Sequence, residues 1–241
     1  MGGGGRISLG LWEYKKWRFK MGSLREREDE LFGGWKVKRP NRFAKDGAGC
    51  EYENSKIKIL FILKETNNTD CNWDGRLRLD GGMMCKNGTP IKHTWNNIFC
   101  WASYLMDNKP LIDCKSPDKA EERAKIFKKI AAMNLKKESG GSQSKYDEIR
   151  SVAIEDSALI KEQIEMYMPD IIICCGKELI FNRIKSIFAG NVEQMVCKNA
   201  RIIKITLNGK TTTVLDFYHP QARKKKPELF KLLEEAKECL K

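Results

Sequence analysis

Lys56-Ile57-Lys58-Ile59-Leu60-Phe61-Ile62-Leu63-Lys64-Glu65-Thr66-Asn67-Asn68 is the stretch that decides the fold. Its centre is a short, unbroken apolar run, whereas a strand with one wet face would alternate apolar with polar residues. Such a run reads as a strand buried on both faces, and the polar residues that end it read as a functional loop. Two later stretches repeat the pattern: Ile130-Ala131-Ala132-Met133-Asn134-Leu135 carries an Asn near its end, and Ile171-Ile172-Ile173-Cys174-Cys175 is closed by Gly176.

Helical patterns separate these strands. Thr94 to Met106 shows helical spacing through Trp95, Ile98, Phe99, Ala102 and Leu105, with Thr94 as its N-cap. Further helices are predicted over Asp118 to Lys129, Asp147 to Met168, from about Lys177, and Pro227 to Leu240. Arg201 to Leu207 and Thr211 to Tyr218 read as strands joined by the turn Asn208-Gly209. Strand alternating with helix predicts an α/β fold: a three-layer α/β/α sandwich around a central, mostly parallel sheet of four to five strands. In such sheets chemistry gathers beyond the carboxyl ends of the strands, where Lys64 to Asn68, Asn134 and His219-Pro220 all fall.

The 241 residues, 41% of them hydrophobic, suffice for one full core. Residues 56–241 are read as the α/β domain, and residues 1–55 as a basic, aromatic extension packed on or flanking it. In that extension Trp12, Tyr14, Trp17 and Phe19 fall on one face of a short helix, suited either to packing on the core or to lying against DNA. No apolar run approaches the roughly 20 residues of a membrane span, and the start lacks a secretory signal, so a cytoplasmic protein is expected. The nine cysteines are scattered and odd in number, which reads as reduced thiols. Without a C-x-x-C pair or a His/Cys cluster, no metal is expected. Neither G-x-G-x-x-G nor G-x-x-x-x-G-K-[ST] occurs, which argues against dinucleotide and P-loop chemistry. A formal charge of +13 favours a polyanionic partner.

Taken in order, a strand leading to a Glu-bearing loop, a strand ending in Asn, an apolar strand ending in Gly and a strand ending in His-Pro resemble the uracil-DNA glycosylase superfamily. The likeness runs from about Lys56 to Arg223. That superfamily's first motif is a Gly-Gln-Asp-Pro-Tyr or Gly-Glu-Ala-Pro-Gly loop, whose slots are filled here by Lys64-Glu65-Thr66-Asn67-Asn68. Glu65 matches the second version. Thr66 replaces the water-positioning Asp of the first, and Asn68 replaces the aromatic that excludes a substituent at the pyrimidine 5-position. Asn134 takes the place of the base-reading Asn. Tyr218-His219-Pro220-Gln221-Ala222-Arg223 resembles the final His-Pro-Ser motif, with Gln221 in place of Ser.

The resemblance implies a monofunctional DNA glycosylase that flips out a pyrimidine and hydrolyses its glycosidic bond, leaving an abasic site, with no metal or organic cofactor. Glu65 would position water and stabilise the sugar cation, and His219 would donate a hydrogen bond to the departing base. Asn134, Asn68 and Trp73 would bind the base; Lys64, Ser142, Gln221, Arg223, Lys224 and Lys225 would hold phosphates. The base would be uracil or a modified pyrimidine, including hypermodified bases carried in some phage genomes, so the role is DNA repair or antiviral defence. The expected partner is DNA, met by a monomer without membrane or obligate protein partner. Plainer readings make Glu65 a strand-end carboxylate paired with Lys64 or Lys137, and His219 a structural turn. The rival functions are a catalytically inactive nucleic-acid-binding protein on the same fold and an enzyme of free nucleosides or nucleotides.

Overall fold

The computed structural model describes residues 22–40, 43–67, 73–111, 114–141 and 144–240. In chain order these form α1 (Leu24–Lys38), β1 (Gly47–Ala48), β2 (Ile59–Leu63), α2 (Gly75–Asp80), α3 (His93–Asp107), α4 (Ala120–Phe127), β3 (Ile130–Asn134), α5 (Tyr146–Glu155), α6 (Ser157–Tyr167), β4 (Ile171–Cys175), α7 (Glu178–Ile187), β5 (Val192–Met195), β6 (Ile202–Leu207), β7 (Lys210–Phe217) and α8 (Lys226–Glu238), with single 3-10 turns at Tyr52–Asn54 and Ala189–Asn191.

One sheet runs in the order β1-β3-β2-β4-β7-β6-β5. Its four central strands, β3, β2, β4 and β7, are mutually parallel. The additions at either edge are antiparallel. Every residue of β2, β3 and β4 is buried, as expected of strands covered on both faces. Side chains alternate across the sheet: Ile59, Phe61 and Leu63 pack with α2, α3, α4 and α8, while Leu60 and Ile62 pack with α1, α5, α6 and α7. The α/β/α layering therefore holds, but the sheet has seven strands rather than four to five. The two extra strands escape pattern reading for physical reasons. β1 is two residues long, and no residue of β5, an edge strand, is buried, so neither leaves an apolar signature.

Ahead of Lys56, the described part of the 1–55 segment supplies α1, begun by a Ser23–Glu26 capping box, and β1. Leu31, Phe32 and Trp35 of α1 belong to the same apolar cluster as β2 and β4. The aromatic face Trp12, Tyr14, Trp17 and Phe19 lies outside the described residues.

Three local expectations are corrected. The helix expected from Asp147 to Met168 is two helices that meet at Asp156, whose wholly buried carboxylate accepts hydrogen bonds from Trp35 Nε1 at 3.0 Å and Arg39 Nε at 3.2 Å and pairs with Lys38 Nζ at 2.7 Å. Asp156 thus marks the junction, its backbone at φ −94° and ψ 10°. α3 begins at His93, with Lys92 rather than Thr94 in the N-cap position, two residues earlier than expected, and the Thr94 hydroxyl instead accepts from Gln221 Nε2 at 2.9 Å. The cysteines are not all reduced: Cys100 on α3 and Cys114 form a disulfide, their Cα atoms 5.6 Å apart. Their 14-residue separation lets the chain after α3 fold back over that helix, a proximity that scattered spacing does not reveal. Among the described residues no helix is long and apolar enough to cross a membrane.

Candidate active site

Beyond the carboxyl ends of β2, β3 and β7 lies a cavity of about 660 Å³. Lys64, Glu65, Asn134, His219 and Gln221, drawn from three separate signatures, all line it, and so does Trp73. The volume falls within the roughly 300–1,000 Å³ of small-molecule sites.

Glu65 owes its position to a ladder that outlasts the strands. Leu135, Lys136 and Gly140 donate their N–H groups to the carbonyls of Leu63, Lys64 and Thr66 at 3.0, 3.0 and 2.8 Å. This seats the Glu65 carboxylate against Gly140, where any side chain would collide with it. Lys136 Nζ donates to Glu65 Oε2 at 3.1 Å and also pairs with Glu148 at 2.5 Å. The side chains of Glu65 and Lys136 are 5% and 6% exposed, so this is a buried pair. The partner is neither Lys64 nor Lys137. Lys64 lies over the Tyr146 ring at 4.8 Å instead, and Lys137 is committed elsewhere.

His219 is fixed through the start of α3. Asn97 Nδ2 donates to the Pro220 carbonyl at 2.5 Å, and Thr94 holds the Gln221 side chain. The Gln221 backbone N–H then donates to His219 Nδ1 at 3.2 Å, which leaves the ring proton on Nε2. Burial, joined by the nearby Lys64 ammonium, pushes the imidazole down to about 4. The ring is therefore neutral and a one-sided donor across the physiological range.

Asn134, at the end of β3, is 6% exposed. Asp46 Oδ2 accepts from both its backbone N–H, at 2.7 Å, and its Nδ2, at 3.3 Å. One Nδ2–H and the Oδ1 carbonyl remain for a ligand. Trp73 also lines the cavity, with Arg78 over its ring at 5.3 Å. Trp95, which sequence periodicity assigns to the core, also lines the cavity while its edge meets Phe127.

The expected phosphate-binding residues divide. Lys64 and Gln221 face the cavity rather than a separate groove, and the Gln221 amide is engaged by Thr94. Arg223, Lys224 and Lys225 are exposed beyond it; Lys224 pairs with Glu228 at 3.3 Å and lies 4.7 Å from the Tyr218 ring centre, and Lys225 precedes the first turn of α8. Asn68 and Ser142 lie outside the described residues. Among the described residues no group of three or more His, Cys, Asp or Glu side chains is placed to hold a metal ion.

Sequence reasoning missed Asp46, Lys136, Gln163 and the structural use of Lys137. Asp46 accepts from Lys137 Nζ at 2.7 Å through each oxygen and from Gln163 Nε2 at 2.9 Å, behind the cavity wall. The sole available signal was a pair of lysines directly after an apolar strand, which a solvent-facing loop would show equally well. Comparison with family models and with curated proteins finds no match to this chain.

Proposed function

We propose that the protein is a monofunctional DNA glycosylase that binds a flipped pyrimidine in the 660 Å³ cavity and hydrolyses its glycosidic bond. The observation that carries this reading is the convergence of Glu65, Asn134 and His219, from three different strand ends, on one cavity. In this mechanism Asn134 meets the base edge through Oδ1 and its remaining N–H. His219 Nε2–H donates to the carbonyl oxygen that gains charge as the bond from C1′ to the base nitrogen breaks, its electron pair leaving with the base. Glu65, on the sugar side, orients a water whose oxygen bonds to C1′ and whose proton it receives.

A neutral imidazole donor suits a base that departs as an anion. That favours 4-keto pyrimidines, uracil or a 5-substituted relative, whose negative charge spreads over two carbonyl oxygens. The formal charge of +13 supports a nucleic-acid substrate, since it raises the local concentration of a polyanion.

The test is abasic-site formation on oligonucleotides carrying uracil, thymine mismatches or modified cytosines, and on phage genomic DNA. Wild type is run beside His219→Ala and Glu65→Ala, each expected to lose on the order of 100-fold or more in rate. Salt-dependent DNA binding with no abasic sites on any substrate would overturn the enzyme and leave a binding protein. Faster release from free nucleotide than from the same residue in DNA would move the substrate to the nucleotide pool.

A further inference from the structure

Behind Asn134 lies a set of buried polar side chains with no part in the bond-breaking chemistry. Asp46, 4% exposed, sits just before β1, and its carboxylate forms part of the cavity wall. It cannot rotate freely: the fully buried Lys137 ammonium bridges both oxygens, and Gln163 holds Oδ1. Gln163 is locked in turn, accepting from Lys137 at 2.7 Å and donating to the Tyr167 hydroxyl at 2.8 Å, which donates to Glu28 at 2.9 Å.

We propose that Asp46 is a positioning residue that fixes the direction of the Asn134 side-chain amide and thereby sets which pyrimidine edge the cavity accepts. This rests on the glycosylase reading above and adds a specificity determinant to it. The amide could otherwise turn by half a revolution and exchange its oxygen for its nitrogen at little cost. With Asp46 in place, that turn would set Oδ1 against a buried carboxylate oxygen, in the position Nδ2 now holds at 3.3 Å. Two acceptors would face each other, and a hydrogen bond to a charged group would be lost.

The direction matters because the two classes of pyrimidine present opposite edges. A 4-keto base offers an N3–H donor beside an O4 acceptor, while a 4-amino base offers an N3 acceptor beside an amino donor. A freely turning amide would pair with either. An amide held with Nδ2 toward Asp46 and Oδ1 away from it pairs with one class and meets the other donor to donor and acceptor to acceptor. The discrimination expected from one such bond is on the order of 10- to 100-fold.

The experiment compares wild type with Asp46→Asn/Lys137→Met. The second change removes the cation that the first would strand, and an Asn at 46 can face either end of the Asn134 amide. Affinities are measured for oligonucleotides bearing hydrolysis-resistant 2′-fluoroarabino uridine or cytidine at one position, with an abasic-analogue oligonucleotide as control. Wild type should prefer the uracil analogue by about 10- to 100-fold. The double variant should bring the ratio within a few-fold, chiefly by tighter binding of the cytosine analogue, with abasic-analogue binding unchanged. Asp46→Ser/Lys137→Met makes the same comparison if the first pair lacks a cooperative melt. An unchanged ratio in a folded variant, or an equal fall for both analogues, overturns the assignment to Asp46. No preference in wild type together with no abasic sites from any substrate sinks the glycosylase reading itself.

Discussion

Replacing Gly140 with alanine adds one methyl group and no chemistry, yet it should disable the site. A Cβ there would stand 2.5 Å from Glu65 Oε1 and closer still to Cδ and Oε2. Ordinary carbon contacts optimise near 3.5 Å, so the carboxylate must retreat by roughly 1 Å. It cannot do so without loosening the buried Lys136 pair, and the ladder bond from Gly140 N–H to the Thr66 carbonyl prevents the loop from yielding instead. A displacement of that size at a catalytic group costs on the order of 100-fold in rate. Overpacking should also cost about 1–3 kcal/mol of stability. At about 2–4 °C per kcal/mol for a chain of this size, that is a visible drop in Tm. Gly190, in the turn before β5 and outside the cavity lining, is the matched control, with nothing within 4 Å of its would-be Cβ, and Gly190→Ala should be silent. The assay is single-turnover abasic-site formation beside a thermal melt for wild type and both variants. Wild-type rate and Tm in Gly140→Ala would refute the claim that Glu65 is wedged in place by this glycine.

Three further outcomes are expected. With His219 pushed down to about 4, the excision rate should show no histidine inflection near 6.5 and should fall only as pH drops through about 4 and protonation removes the Nδ1 acceptor; Lys64→Gln should move that fall to higher pH, and an inflection at 6.5 in wild type would contradict the neutral-donor assignment. At Asp156, burial opposes ionisation, but hydrogen bonds from Lys38, Arg39 and Trp35 outweigh it and hold the carboxyl below its ordinary value; Asp156→Ala should cost about 1–3 kcal/mol in a neutral-pH denaturant titration. Because that pKa is lowered on folding, the ionised carboxylate's contribution is present above the unfolded value near 3.8 and is lost as pH falls through the folded one, so the Tm gap between wild type and Asp156→Asn should close below pH 4. Reducing the Cys100–Cys114 disulfide should lower stability by about 3 kcal/mol for its 14-residue span, and a melt indifferent to reductant would argue against the bond.

How much of this was legible in the sequence follows from how far apart the interacting residues lie. β2, β3 and β4 announce themselves because a strand buried on both faces must be apolar at every position, a local property. Their polar ends mark the cavity for the same reason, since the change from Leu63 to Lys64-Glu65 is visible within the window that defines the strand. Asp46 is the opposite case. Its partners Asn134, Lys137 and Gln163 are 88, 91 and 117 residues away, and only the closed fold makes their charges and amides complementary. A buried lysine and a solvated one are written with the same letter. The break at Asp156 was hidden likewise, because the groups that draw its carboxylate inward, Trp35, Lys38 and Arg39, belong to α1 and the residue that follows it.

The first signature nonetheless contains more of the chemistry than a single matched residue suggests. Lys64 and Glu65 are neighbours just past the end of β2, yet their side chains take different partners. Lys64 goes toward Tyr146 and is close enough to His219 to depress its pKa; Glu65 goes toward Gly140 and Lys136. In the proposed reaction the two fragments of the breaking bond carry opposite charges, negative on the base and positive on the sugar. The Lys64 ammonium adds a positive field on the side where His219 donates to the base. Burial, joined by that field, keeps His219 uncharged, so the ring acts as a donor without an ion of its own to desolvate. The Glu65 carboxylate provides the negative field for the sugar, and its pairing with Lys136 limits how far that field reaches toward the departing base. Under the proposed reaction, two adjacent letters supply the two signs of charge that its transition state calls for. Exchanging them would put each field against the wrong fragment while leaving composition and net charge untouched.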